Sequence, residues 1–159
     1  MEDITVFGAL KDAIRTVYLE SGSYFKPTKG RERSIVFRIA HELANRIEDK
    51  LNLHVDIEPT RCNGITKRAE AIIVPDLVVH KRGGKGHLAV EFKCTHNISD
   101  KEHDCAKLSL LTLEQKDYAL KKCCPTYNFG AFVYLANTLD KVEITIFVNG
   151  CERDVIKGL

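Results

Sequence analysis

With 159 residues, 44% hydrophobic and 29% charged, the chain is long and apolar enough to bury one core. Nothing in it approaches the apolar run of about 18 residues that a membrane-spanning helix requires, so no membrane partner is expected. A formal net charge of only +2 excludes a polycation, and any attraction for an anionic partner must come from local clusters.

The N-terminal segment MEDITVFGALKDAIRTVYLESG is acidic at once and is interrupted by Lys11, Asp12 and Arg15, unlike an export signal. Together with cysteines at 62, 94, 105, 123, 124 and 151, this predicts the reducing cytoplasm, where thiols stay free. Residues 3–20 place Ile4, Phe7, Leu10, Ile14 and Val17 at steps of three and four, the periodicity of an amphipathic helix. Two placements suit that helix: packing on its own domain, or pairing with a second copy in a homodimer.

SGSYFKPTKG (21–30) has loop composition, and a second helix is expected from about Arg33 or Ser34 to Leu51. Its stripe is Val36, Ile39, Ala40, Leu43, Ala44 and Ile47, with Glu42 on the flank of the stripe. HVDIE (54–58) alternates and stops at Pro59, as a short strand does. A basic turn, RCNGITKR, precedes two strands, 71–81 and 87–94, joined around RGGKG. A third helix is expected over 100–122, then strands over 129–136 and 142–148. The order predicts an α/β fold, a mixed sheet with helices packed on it, forming one domain over 1–159.

The pair of strands around RGGKG raises a chemical question. Along LAVEFK, Leu88, Val90 and Phe92 take one face and Ala89, Glu91 and Lys93 the other. Lys93, on the polar face, is therefore expected to be dispensable for folding. Whether Asp76 joins Glu91 and Lys93 depends on register. A four-residue connection sets Asp76 opposite Glu91 or Lys93, whereas five residues centred on Gly84 would set it opposite Phe92 and on the other face. If the two carboxylates converge, each raises the pKa of the other, and the pair wants a cation. Few hard oxygen ligands favour Mg²⁺, with Mn²⁺ as substitute, and a neighbouring ammonium suits the charge on a phosphate. That is the chemistry of metal-assisted phosphodiester hydrolysis.

Pro75–Asp76 followed by Glu91–Phe92–Lys93 resembles the signature of the PD-(D/E)XK nuclease superfamily, which includes restriction endonucleases and Holliday-junction resolvases. The resemblance covers residues 33–136. It implies a restriction-endonuclease-like core of order α-βββ-α-β, preceded here by an extra N-terminal helix. It further implies a Mg²⁺-dependent enzyme that cuts DNA, with Asp76, Glu91 and the Phe92 carbonyl on the metal and Lys93 serving the attacking water. Glu42 matches the glutamate that members often add from the first core helix. Gln115 and Tyr118 resemble a Gln–Tyr pair of some subfamilies, at a spacing one residue shorter than the usual form.

Three basic clusters are candidates for phosphate contact: Lys26 to Arg38 (with Arg31, Arg33 and Arg38), Lys81–Arg82–Lys85, and Lys116 to Lys122. His80, four residues beyond Asp76, would share its face and reach a phosphate. Cys94, His96, His103 and Cys105 form a C-x-H…H-x-C array of zinc-type ligands, although the segment crosses from strand to helix. A second class of function fits the same fold: a catalytically inactive nucleic-acid-binding or assembly module.

Overall fold

The computed structural model describes residues 2–22, 26–57, 74–82, 84, 86–94, 98–113 and 126–159. Among the described residues three α-helices and six strands follow in the order α1 (Glu2–Ser21), α2 (Glu32–Leu51), β1 (His54–Ile57), β2 (Leu77–His80), β3 (Gly86–Lys93), α3 (Ile98–Thr112), β4 (Tyr127–Tyr134), β5 (Glu143–Val148) and β6 (Cys151–Lys157). The strands form one mixed sheet in the order β1-β2-β3-β4-β5-β6. Among the described strands only the β3–β4 pair is parallel, because α3 carries the chain back between those two strands. The protein is thus α/β, as the element order predicts.

Strand alternation divides the core into two layers. Leu77, Val79, Leu88, Val90, Phe92, Ala131, Val133 and Ile144 join α1 and α2 in one continuous apolar cluster. Val78, Ala89, Phe132 and Phe147 pack with Leu108 and Leu111 of α3 in another. All four residues of β2 are buried, as a strand covered on both faces requires.

The stripe predicted for α2 is buried except for Ala44, which is half-buried, and Ile35 joins it. The helix stops at Asn52, whose left-handed φ of 52° lets its N–H reach back to the Glu48 carbonyl at 3.0 Å. Of the two placements open to α1, the structure has the helix packed on its own chain. Val6, Leu10, Ala13, Ile14 and Val17 are buried in the same cluster as α2, and the Tyr18 hydroxyl donates to the Ala136 carbonyl at 2.6 Å.

Several elements differ from expectation, among them β4, which runs Tyr127–Tyr134 and not 129–136. β2 starts at Leu77, after Asp76, and 71–73 lie outside the described residues. α3 reaches Thr112 and Leu113 bends away from it, while the rest of the expected helix also lies outside them. β6 is additional. Its signal is Asn149–Gly150, both at positive φ (51° and 77°), the turn that matches the right-handed twist of a two-residue hairpin. The Thr112 hydroxyl donates to the Leu108 carbonyl at 2.9 Å and accepts the Gly150 N–H at 3.1 Å, which pins the end of α3 to this turn.

Candidate active site

Register decides the site, and a bulge decides the register. Leu77, Val78 and Val79 pair with Val90, Ala89 and Leu88, but His80 pairs with Gly86, so the ladder skips His87. Five residues, 81–85, connect the strands, yet the bulge restores the pairing expected from a four-residue connection. Continued by one residue, the ladder sets Asp76 across from Glu91. The Asp76 carboxylate accepts the Phe92 N–H at 2.7 Å, closing the end of β2 onto β3.

That hydrogen bond also orients a carbonyl. The N–H and C=O of one strand residue leave by the same edge, and successive residues alternate between edges. Lys93 turns its carbonyl toward Leu135, whose N–H it accepts at 2.7 Å, so the Phe92 carbonyl leaves on the Asp76 side.

The polar face of β3 lies beneath α3, away from open water. Glu91 is only 1% exposed. Over it, α3 places Asp104 and Lys107, three residues apart and therefore on one side of the helix. Lys107 Nζ lies 2.8 Å from Asp104 Oδ1 and 3.4 Å from Glu91 Oε1, and Lys93 Nζ lies 3.2 Å from Asp104 Oδ2. Two carboxylates and two ammoniums thus alternate as Lys93–Asp104–Lys107–Glu91. The contact at Asp104 Oδ2 is an ion pair without hydrogen-bond alignment. Lys93 is accordingly half-buried and anchored, not a free surface lysine. The expectation that it is dispensable for folding gives way to a cost, because Asp104 is buried and needs its cations.

The charges perturb one another in a consistent direction. Burial first, then the neighbouring Asp76 carboxylate, pushes Glu91 up to about 8, although Lys107 pulls the other way. Asp76 is also held above the usual carboxylate range, by burial, against the Phe92 N–H and Lys93. For Lys93, burial works against the charge, but Asp104, Glu32 and Asp76 outweigh it, and the pKa ends above its ordinary value. Lys93 is therefore an ammonium at neutral pH, suited to stabilising anionic charge and unsuited to taking a proton.

The helix glutamate beside the site is Glu32, not Glu42. Glu32 opens α2, accepts the Cys94 N–H at 2.9 Å, and acts electrostatically on Asp76 and Lys93. Glu42 lies ten residues further on, about 15 Å along the helix at the usual rise. It sits 3.9 Å from Arg46, which in turn donates to Thr16 of α1 at 2.7 Å. A flank position on the stripe was legible for Glu42, but the end of α2 that meets β3 was not. Glu32, Arg33, Val36, Phe37, Ile57 and Asp76 line an open groove of ≈ 380 Å³.

The remaining candidates scatter. Arg31 and Arg33 are exposed at the start of α2. Arg38 is tied to α1, donating to Ser21 at 2.6 Å and pairing with Glu20 at 3.5 Å. Lys81 and Arg82 are exposed at the β2–β3 tip, and Lys85, Gln115 and Tyr118 lie outside the described residues. His80 is buried; its Nε2 is 2.7 Å from Asp56 Oδ2 and its Nδ1 3.1 Å from the Lys81 carbonyl, so it serves the β1–β2 edge.

The zinc-type array does not converge. Cys94 packs with the α1–α2 layer and Cys105 with the α3 layer across the sheet, while His96 lies outside the described residues. Burial, with Glu32 beside it, pushes the Cys94 thiol up to about 12, far from a ligating thiolate.

Among the described residues no three His, Cys, Asp or Glu side chains gather as ligands for a metal ion. The oxygen donors Asp76 and Glu91 fit a small hard cation, since both are destabilised by burial and by nearby carboxylates, Glu91 by Asp76 and Asp76 by Glu32 and Asp104. Compared with known proteins, the chain matches no family model, no curated protein and no solved structure. No helix among the described residues is long and apolar enough to cross a membrane.

Proposed function

We propose that the protein is a Mg²⁺-dependent nuclease that hydrolyses DNA phosphodiester bonds, built on a restriction-endonuclease-like variant of the α/β sheet. The observation that carries this reading is the bulge-set register. It puts Asp76 and Glu91 at one point of the sheet, with the Phe92 carbonyl leaving on the Asp76 side and an ammonium two residues along. Asp76, Glu91 and the Phe92 carbonyl are the proposed ligands, and Glu32 takes the role expected of Glu42. Bound there, a divalent ion supplies Lewis-acid polarisation of the phosphoryl group. Lys93 faces the charge that develops on the phosphate and holds the attacking water in line. Asp104 keeps both Lys93 and Lys107 protonated and in place.

The test is cleavage of plasmid, linear, single-stranded and branched DNA in Mg²⁺, Mn²⁺ or EDTA, by the wild type and Asp76→Asn. Metal-dependent cleavage lost in the variant supports the proposal. Cleavage that survives EDTA or the substitution sinks it.

One observation favours a second reading. Lys107 already pairs with Glu91, so one of the two proposed carboxylate ligands has a partner within the fold. A non-catalytic nucleic-acid-binding or assembly module would keep that pairing permanently. It would bind DNA with salt-sensitive affinity, cut nothing, and show no Mg²⁺ heat by calorimetry.

A further inference from the structure

The groove that ends at Asp76 has walls unlike the rest of the surface. Phe37 is 64% exposed and Ile57, the last residue of the edge strand β1, is 37% exposed. With Val36 they make an apolar wall on the α2 side of the sheet, opposite the side on which α3 covers Glu91. Arg33 lines the same groove, Arg31 stands exposed at the same end of α2, and the carboxylates Glu32 and Asp76 line the groove too. Phe37 follows Arg33 by one helical turn, so the aromatic ring and the guanidinium project from one side of α2.

We infer that this groove seats an unpaired nucleotide of single-stranded or splayed DNA, its base stacked on Phe37 and its backbone drawn toward Arg31 and Arg33. The inference rests on the nuclease reading and adds the substrate class. The volume of ≈ 380 Å³ is that of a small-ligand site and suits one nucleotide. An aromatic side chain exposed in a groove offers a π-face, which every base can use once it is out of the stack. Bases within a duplex present only their edges, and a surface built to read those edges needs polar side chains where this wall is apolar. The charges agree. Arg33 in the groove and Arg31 beside it supply the positive charge that a phosphate backbone needs, and Asp76 of the proposed metal site lines the same groove.

The chain contains no tryptophan, which makes a direct test available. Phe37→Trp installs a sole indole on the wall, and Phe37→Ala removes the ring; both act at an exposed position and leave the core untouched. The binding measurements are made in EDTA, so they do not depend on cleavage. Oligo-dT should quench the Phe37→Trp emission, and a blunt hairpin duplex should not. Phe37→Ala should weaken oligo-dT binding by about 5- to 100-fold with an unchanged salt slope, since stacking releases no counterions. Equal quenching by duplex and oligo-dT, or oligo-dT affinity unaffected by Phe37→Ala, would overturn the inference. A Phe37→Ala protein that still cuts DNA in Mg²⁺ while its oligo-dT affinity is unchanged removes the groove and leaves the nuclease standing. Quenching by oligo-dT in a protein that never cleaves removes the nuclease and leaves the groove.

Discussion

The two faces of the sheet are drawn from the same strands, yet they bury different things. Under α1 and α2 the contacts are aliphatic and aromatic, with Leu10, Ile14, Ile39, Leu43, Ile47 and Phe92 almost wholly removed from water. Under α3 the sheet buries Glu91, Asp104, Thr112 and Thr145 alongside Leu108, Leu111 and Phe132. An apolar layer gains free energy from every methylene it hides, whereas a layer of buried charge gains little and loses much when one partner is removed. The α1–α2 face therefore holds the fold, and the α3 face carries groups that would be costly to bury for stability alone.

The largest expected effect breaks the first face. Leu43→Ala, at a position fully out of water between α1 and the sheet, should cost about 2–5 kcal/mol in urea unfolding. The cleavage rate per folded molecule should hardly change. A loss well under about 1 kcal/mol would mean that α2 does not carry the stability assigned to it.

Next comes Glu91→Gln, which should act in the opposite direction on the second face. Glu91 ionises near 4.5 when unfolded and near 8 when folded, because burial and Asp76 oppose its charge. Between those values the native state holds a proton that the unfolded chain has lost, so stability falls as pH rises through the window. Glutamine removes that dependence. The variant should match the wild type below about pH 4.5 and exceed it above pH 8, by an amount on the order of a few kcal/mol. Parallel stability curves from pH 4 to 9 would show that Glu91 is not held protonated by the fold. The same variant should lose Mg²⁺ binding in calorimetry.

How much of this contrast the sequence carried depends on the kind of signal. The α2 stripe and the alternation of Leu88, Val90 and Phe92 are local periodicities, and both were readable. So was the shared face of Glu91 and Lys93. The register of Asp76 was not, since it turns on a bulge at His87 that no alternation reveals. Glu32, Asp104 and Lys107 were missed for a related reason. Each lies on a helix whose end or face meets the sheet through tertiary packing, and the i, i+3 spacing of Asp104 and Lys107 is common on solvated helices. β6 was missed although Asn149–Gly150 announces its turn. Its sequence, CERDVIK, has no apolar alternation because an exposed edge strand needs none.

Lys93→Ala tests the charged network at smaller stability cost. Asp104 keeps Lys107 at 2.8 Å, so the carboxylate is not orphaned, and we expect a loss of about 1–2 kcal/mol. Cleavage in Mg²⁺ should nevertheless disappear, and DNA affinity should remain within a few-fold of the wild type. A variant that cleaves at the wild-type rate would reduce the Glu91–Phe92–Lys93 triplet to a structural ion-pair strand. Full-strength Mg²⁺ binding without cleavage would place Lys93 in the chemistry and outside the metal site.

The smallest effect on the fold comes from the basic residues, and it separates positions that the sequence groups together. Arg31, Arg33 and Arg38 form one cluster along the chain, but only the first two stand exposed at the end of α2 that reaches Asp76. Arg38 is committed to Ser21 and Glu20 on α1. Lys81 and Arg82 lie beyond the far end of β2, five and six residues after Asp76, so at about 3.3 Å per residue they stand some 16 Å or more from it along the strand. Replacing Arg31 and Arg33 together by alanine should leave stability within about 0.5 kcal/mol. If each neutralises one phosphate, the slope of log affinity against log salt should flatten by about 1.4 on single-stranded DNA. Arg38→Ala should leave that slope unchanged and instead loosen α1 from α2, visible as faster amide exchange along both helices. Equal slope changes in the two variants would mean that DNA crosses the α1–α2 surface, away from the groove. A slope change confined to Arg31 and Arg33 would direct the backbone past the start of α2 and toward Asp76, which lines the same groove as Arg33.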